Sequence, residues 1–483
     1  MEAPLREDIN QRYKRALFWF RRDLRLGDNL GLFFATQAAE EVVPVFVFDR
    51  KILDQLEDRD DRRLTFIHRS LAELDSKLQT IDSRLVVLDG DPAIEIAKLA
   101  RALRAEAIFT NEDWEPYALE RDAKVRQAGL PFHAYLDHVV FRGDEILTGE
   151  GQPFRVYTPF MKAWRARLDS HPLGTSAEPD SSRFAKASSM EGLPALPTLA
   201  ELGFQEASLW TAPGEAAAYK ALAKFADKAS DYGAKRDFPH GDHTSGLSVH
   251  LRFGTISIRD CFRFARAANA EKWENELIWR EFYQAILLHC PNIATEAFNP
   301  KYRGLEWPGS REDFEKWAQG QTGYPIVDAA MRCLNQTGWM HNRLRMVVAS
   351  FLTKDLVCDY RWGEAYFARK LLDFDLASNN GGWQWSASTG ADAQPYFRIF
   401  NPILQSKRFD PEGAFIREWL PELRELSNED IHFPAEAGPL ALAAAGISLG
   451  DNYPNPLVRH TDGKQRALAF LESCTHEGAQ GRS

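Results

Sequence analysis

The chain has 483 residues, with 59 Lys plus Arg against 69 Asp plus Glu and a net charge of −10. It is too long for one small domain and too acidic for a general polyanion binder, although a local basic groove remains compatible with that balance. Hydrophobic residues at 44% exclude a disordered or collagen-like chain, and the absence of a run of about 18 apolar residues argues against a membrane span.

The opening MEAPLREDINQRYKR carries three acids and no apolar stretch, which fits neither a secretory nor a transit peptide. Apolar runs follow at 16–20 (ALFWF), 42–48 (VVPVFVF), 84–88 (RLVVL) and 107–110 (AIFT). Between them lie amphipathic stretches such as 63–78, with apolar residues at 64, 67, 71, 74 and 78. This alternation predicts a buried, doubly wound parallel sheet over residues 15–142, whose ligands belong at the carboxyl ends of the strands. No GxGxxG follows the first strand, so the usual dinucleotide fingerprint is absent.

From 143 to 214 Gly, Pro and Ser cluster (LTGEGQPF, SHPLGTSAEPDSS, LPALPT), which reads as a long interdomain linker. From 215 to 483 helical spacing dominates, so the predicted class is α/β plus all-α. Along 273–288, Glu276, Trp279, Arg280 and Tyr283 share one helix face, and along 338–356 Asn342, Arg345, Met346 and Ala349 do the same. Nine of the 13 tryptophans lie at or beyond Trp273, for which core packing is the ordinary explanation. The five cysteines (Cys261, Cys290, Cys333, Cys358, Cys474) are scattered without a CxxC, and His289 and His341 have no partner at metal-ligand spacing. A reducing cytoplasm and no metal are expected.

Four segments carry candidate chemistry. Tyr232 with Thr244-Ser245-Gly246-Leu247-Ser248 offers hydroxyls and backbone amides to a phosphate, or a plain helix cap. Glu276 through Phe282 and Gly338 through Met346 bring charged, amide and thioether groups to helix faces. Asp373-Phe374-Asp375 and Asn379 through Trp385 lack the spacing of an EF-hand, and an ion pair from an Asp to Arg345 is the simpler account.

FRRDLRLGDN (20–29), TGYPIVDAAMR (322–332), GWMHNRLRM (338–346) and NNGGWQW (379–385), in this order, resemble the photolyase/cryptochrome family, above all the class I cyclobutane pyrimidine dimer photolyases of microbes. The resemblance runs from about Ala16 to about Pro434. It implies an α/β antenna domain, a helical domain holding FAD as FADH−, and light-driven splitting of pyrimidine dimers in UV-damaged DNA. It assigns FAD binding to Tyr232, Thr244, Ser245, Gly246, Leu247, Ser248, Arg280, Arg345, Asp373, Phe374, Asp375 and Asn379, the last facing flavin N5. Glu276, Asn342 and Met346 match the lesion pocket, and Trp279 and Trp385 its aromatic walls. Arg236, Arg343, Arg398 and Gln405 match DNA contacts, with Lys407 and Arg408 nearby.

Six-four photolyases and animal-type cryptochromes carry His where Asn342 and Met346 stand, and plant-type cryptochromes tend to have Asp where Asn379 stands. Enzyme is thus favoured over a cryptochrome-type photoreceptor. A family chain of three tryptophans matches Trp383 and Trp307, but its middle position is Tyr360, with Trp362 two residues on. Asp113 and Glu115 resemble the deazaflavin-binding antenna type, so 8-hydroxy-5-deazaflavin is preferred to folate or another flavin. A monomer in the cytoplasm, associated with the nucleoid if bacterial, completes the expectation.

Overall fold

The computed structural model describes residues 12–480, with side chains described to residue 473. Residues 1–11, which carry most of the leader reading, and the Cys474 side chain lie outside the described residues. The chain forms two compact units, one from residues up to 230 together with 245–291, the other from 231–244 and 292 onward.

In the first unit five parallel strands, β1 (Tyr13–Phe20), β2 (Ala39–Asp49), β3 (Val86–Gly90), β4 (Ala107–Asn111) and β5 (Phe132–Tyr135), lie in the order β3-β2-β1-β4-β5. Leu17, Trp19, Val43, Val45, Val86 and Ile108 fill one face, as near-continuous apolar strands of a covered sheet require. The four predicted strands are all present. The fifth, FHAY, escaped prediction because an edge strand of four half-buried residues has no apolar run to read. The order reverses between β1 and β4, so Arg21, Arg22 and Asn111 to Asp113 stand at the switch point where such sheets bind ligands.

The amphipathic stretch forms the helix Arg62–Gln79, capped by Asp61. The 143–214 stretch is less open than its composition suggests: it contains a 14-residue helix, Tyr157–Ser170, that buries Tyr157, Phe160, Trp164 and Leu168. Those residues recur at helical spacing, but the Gly/Pro-rich flanks obscured them. This helix lies against the helix Glu271–His289 through Trp164, Phe160 and Tyr157. Residues 245–291 are tied in by buried ion pairs: Arg259 meets Asp28 at 3.0 Å and Asp137 at 2.8 Å, and Arg25 meets Asp137 at 2.8 Å.

The second unit is helical among its described residues, around Trp317, Met331, Leu334, Leu344, Phe351, Phe367 and Trp383. The helix expected over 338–356 begins later, at Asn342. Gly338, at φ +72°, ends the preceding helix Pro325–Thr337. His341 then caps a new helix, Asn342–Ser350, by accepting from the Arg343 amide at 3.1 Å. The helix passes into a π-helical turn, Phe351–Asp355, of the kind often found near functional sites. Of the nine tryptophans at or beyond Trp273, only Trp273, Trp317 and Trp383 are buried in the core; Trp279, Trp307, Trp339, Trp362, Trp385 and Trp419 are half-buried, so core packing alone does not explain them.

Candidate functional site

In the second unit the Asn342–Ser350 helix sets the chemistry. One turn of α-helix brings residue i beside i+4, and the Asn342 carboxamide lies 4.0 Å from the Met346 sulfur. Arg345 is clamped on the adjoining strip: its Nε donates to the Met340 carbonyl at 2.8 Å, and its Nη2 spans both Asp373 oxygens at 3.0 and 2.8 Å. Asp373 is buried and Arg345 partly exposed, so the guanidinium is a fixed cation with a free edge. Arg343 pairs with Asp237 at 2.9 Å and lies over the Phe409 ring, while Arg236 covers Tyr232. Burial holds His341 neutral, with its pKa lowered to about 4, so the cap accepts rather than repels the helix N-terminus.

The helix Leu376–Ala387 begins where Asp375 accepts from the Ser378 amide at 3.0 Å. Asn379 donates its amide to the Glu364 carbonyl at 3.1 Å. That leaves its carboxamide oxygen as the atom presented elsewhere, an acceptor. Asn380 donates to the Glu364 carboxylate and the Ile293 carbonyl, each at 2.9 Å, and Gln384 bridges Glu296 and Asn380. Burial pushes Glu364 up to about 7 despite the Asn380 hydrogen bond. At the far end buried Lys354 donates to the Ala387 carbonyl and to Ser388 Oγ, fixing the turn that follows half-buried Trp385. Arg398, Lys407 and Arg408 are exposed and Gln405 is half-buried.

The aromatic residues of this unit do not form one simple line. Trp307 meets Tyr360 edge-on at 6.2 Å, and Trp383 meets Trp317 at 6.0 Å and Phe367 at 5.0 Å. Trp362 contacts Phe314 and lies under Arg311, whose guanidinium carbon is 3.9 Å from its ring centre. Burial raises the Tyr360 phenol above its ordinary value, so its proton is held tightly.

In the first unit the Glu271–His289 helix carries half-buried Glu276, Trp279 and Arg280, the last donating to the His138 carbonyl at 2.5 Å. The Trp279 indole lies face to face with the Tyr157 ring, centroids 3.7 Å apart and planes 8° from parallel. Next along the helix, buried Glu281 accepts from the Val140 amide at 2.6 Å, the Phe141 amide at 3.4 Å and the Trp164 indole at 2.7 Å. Burial outweighs those donors and pushes its pKa up to about 7. Ser245 to Ser248 form a turn in which Gly246 takes φ +67° and the Ser245 hydroxyl accepts from the Leu247 amide, ahead of the short helix Ser248–Phe253.

Asp113 and Glu115 are not open carboxylates. Arg22 reaches Asp113 at 3.3 Å and Glu115 at 3.4 Å, and Arg252 reaches Glu115 at 2.7 Å. Burial would raise Asp113, but Arg22 and then Arg21, Arg252 and Arg121 hold it well below the usual carboxylate range. Asp113 also lines a cleft of about 440 Å³ with Trp114, Phe132, His133, Arg126 and Arg142. Among the described residues no cluster of three metal-ligating side chains occurs, and no helix is long and apolar enough to cross a membrane.

Within the second unit the donors suit FAD chemistry: Arg345 offers a fixed cation and Asn379 an acceptor oxygen. Within the first, Ser245 to Ser248 offer hydroxyls and amides, suited to a phosphate, at a glycine-permitted turn. Sequence reasoning missed Tyr157, Glu281, Glu364, His341 and Lys354. Only Tyr157 had a readable signal, as the first of a helically spaced apolar set. Glu281, Glu364 and Lys354 matter through partners that are distant along the chain, whereas His341 caps a helix two residues on and is set apart by its burial.

A family model described as the DNA photolyase matches residues 16–180, and one described as the FAD binding domain of DNA photolyase matches 273–473. The deoxyribodipyrimidine photo-lyase of Synechococcus is 43% identical, over 92% of this chain and 93% of the relative. That of Halobacterium salinarum is 38% identical, over 94% and 98%. The bacterial class III photolyase structure from Agrobacterium tumefaciens superposes with a TM-score of 0.87 at 35% identity, covering 98% of this chain and all of that one. The photolyase of Sulfolobus tokodaii, solved with two FAD molecules, superposes at 0.82 with 33% identity, over 95% of this chain and 100% of that one. A Synechocystis cryptochrome superposes at 0.86 with 27% identity, over 94% and 99%.

Proposed function

The chain belongs to the DNA photolyase family, and from that premise we propose how its residues divide the work of a light-driven enzyme that splits cyclobutane pyrimidine dimers in DNA. FAD is its cofactor and, when bound in the reduced form, supplies the photoexcited electron. The observation that carries the residue assignment is a single helix, on which Asn342 and Met346 touch while Arg345 is clamped by Asp373.

Arg345 and Asp373 hold a positive charge where a reduced, anionic ring is stabilised, and Asn379 accepts from its N–H. Tyr232, Thr244 to Ser248, Arg280, Phe374 and Asp375 hold the remainder of FAD, the hydroxyls and amides meeting its phosphates. A dimer must leave the duplex to be reached, and a damaged step unstacks at lower cost. Trp279 and Trp385 stack against it, each contact contributing about 1–3 kcal/mol. Glu276 and Asn342 hydrogen-bond the pyrimidine edges, and the Met346 thioether lines the apolar side. Arg236, Arg343, Arg398 and Gln405 fix the strand through its backbone.

Electrons that restore the reduced cofactor pass inward along Trp307, Tyr360 and Trp383. The tightly held Tyr360 proton slows the middle hop, and Trp362 supplies a detour. Transient absorption after a blue flash checks this: Trp362→Phe slows radical formation, and an unchanged rate removes the detour. The antenna is 8-hydroxy-5-deazaflavin near Asp113 and Glu115. A second flavin is the other reading, favoured by the two FAD molecules of the Sulfolobus structure. Monomeric action in the cytoplasm belongs to the same proposal, in keeping with thiols at Cys261, Cys290, Cys333 and Cys358.

The test is illumination of the holoenzyme with an oligonucleotide carrying one cyclobutane dimer. Repair requires light, and Glu276→Ala lowers its yield roughly tenfold, the effect of one lost hydrogen bond to a charged group. Dimers left intact under strong light overturn the assignment in favour of a photoreceptor.

A further inference from the structure

We propose that Tyr157 is a positioning residue for lesion binding: its ring backs the Trp279 indole and fixes the plane on which the flipped-out dimer stacks. The inference rests on the reading of Trp279 as a wall of the lesion pocket and adds to it a residue from a segment that the sequence presents as linker.

The geometry is specific. Two free aromatic rings prefer offset or edge-to-face arrangements over a parallel sandwich. Tyr157 and Trp279 nevertheless lie 3.7 Å apart and 8° from parallel. Two anchors impose this. The Tyr157 hydroxyl donates to the Asn275 carbonyl at 2.8 Å, on the same helix as Trp279 and one turn before it. The edge of Phe282 meets both rings, at 6.0 Å from Tyr157 and 5.7 Å from Trp279. Tyr157 is itself 7% exposed and so has no freedom to turn, whereas Trp279 is only half-buried.

The consequence for binding follows from side-chain freedom. An indole on a partly exposed helix face samples several rotamers and loses them when a base stacks on it. With one face already covered by a locked ring, that loss has been taken in folding, and the opposite face meets the lesion pre-oriented. Undamaged duplex keeps its bases stacked and does not use this platform. Tyr157 therefore contributes to discrimination rather than to general DNA affinity.

The experiment measures dissociation constants in the dark for the holoenzyme, with an oligonucleotide bearing one cyclobutane thymine dimer and with its undamaged twin. The variants are Tyr157→Phe, Tyr157→Leu, Trp279→Ala and the double variant Tyr157→Leu/Trp279→Ala. Tyr157→Phe keeps the stacked ring and retains discrimination within about twofold. Tyr157→Leu fills the space without a flat face and loses about fivefold to tenfold of the discrimination, with undamaged-DNA affinity unchanged. The double variant behaves as Trp279→Ala alone, because both act through one surface. Tyr157→Met replaces the leucine variant if that protein does not fold, and the same outcomes decide. Wild-type discrimination in the aliphatic variant, or a full extra penalty on top of Trp279→Ala, overturns the role of Tyr157 alone. Full discrimination in Trp279→Ala overturns the stacking platform, and the inference with it.

Discussion

His341 shows how much one side chain decides at the residue scale. Its imidazole caps the Asn342–Ser350 helix, and burial keeps it uncharged down to about pH 4. An unfolded histidine titrates near 6.5, so between those values the unfolded chain binds the additional proton and stability falls as pH falls. Glu281 and Glu364, each pushed up to about 7, act with the opposite sign: the fold keeps their protons above the unfolded value of 4.5, and that contribution is lost as pH rises toward 7. Wild-type titration therefore mixes opposed contributions, and a variant isolates one. Asparagine is also a good helix cap. His341→Asn gains on the wild type by about 1 kcal/mol per pH unit between pH 6.5 and 4. Urea unfolding at pH 7 and pH 5.5 measures the gap, and a gap independent of pH contradicts a buried neutral imidazole.

At the scale of elements, the helix Tyr360–Lys370 meets the helix Leu376–Ala387 at Gly363. A methyl group there would lie 2.1 Å from the Trp383 ring and 2.7 Å from the Leu352 side chain. Inside a helix alanine is ordinarily the better residue by about 1 kcal/mol. Here overpacking reverses the sign, so Gly363→Ala costs about 1–3 kcal/mol and displaces the Trp383 indole. A lowered urea midpoint together with slower tryptophan radical formation after a flash checks both parts. Elements with their own periodicity were legible: four strands, the Arg62–Gln79 helix and the faces bearing Glu276 and Asn342 follow from spacing. An ion pair from an Asp to Arg345 was legible because these residues sit in short, charged motifs; the choice of Asp373 rested on the family resemblance, and the structure forms that pair. The β5 edge strand, the cap at His341 and the Glu281 and Glu364 networks were not, because each is decided by burial against distant segments. Tyr157 lies between these cases, at helical spacing but inside a stretch whose composition reads as loop.

For the whole molecule, a net charge of −10 coexists with exposed Arg398, Lys407 and Arg408. DNA affinity depends on phosphates neutralised locally, so its fall with salt reports the number of such contacts rather than the overall charge. Arg398→Ala weakens damaged and undamaged DNA alike and lowers the slope of log affinity against log salt by about 1. Titrations across salt concentrations measure this, and an unchanged slope removes Arg398 from the strand contacts. The ion pairs that Arg259 makes with Asp28 and Asp137 have a consequence of another kind. The sheet-bearing unit is interrupted in sequence by 231–244 and closes only with residues 245–291. While the nascent chain on the ribosome has yet to deliver that late segment, sunken Asp137 keeps only Arg25 and sunken Asp28 lacks both Arg259 and Arg263, and the N-terminal part waits in a half-assembled state that invites chaperones. A gene shortened after residue 230 freezes the polypeptide at this stage, so its product aggregates, although every strand of the sheet has been translated.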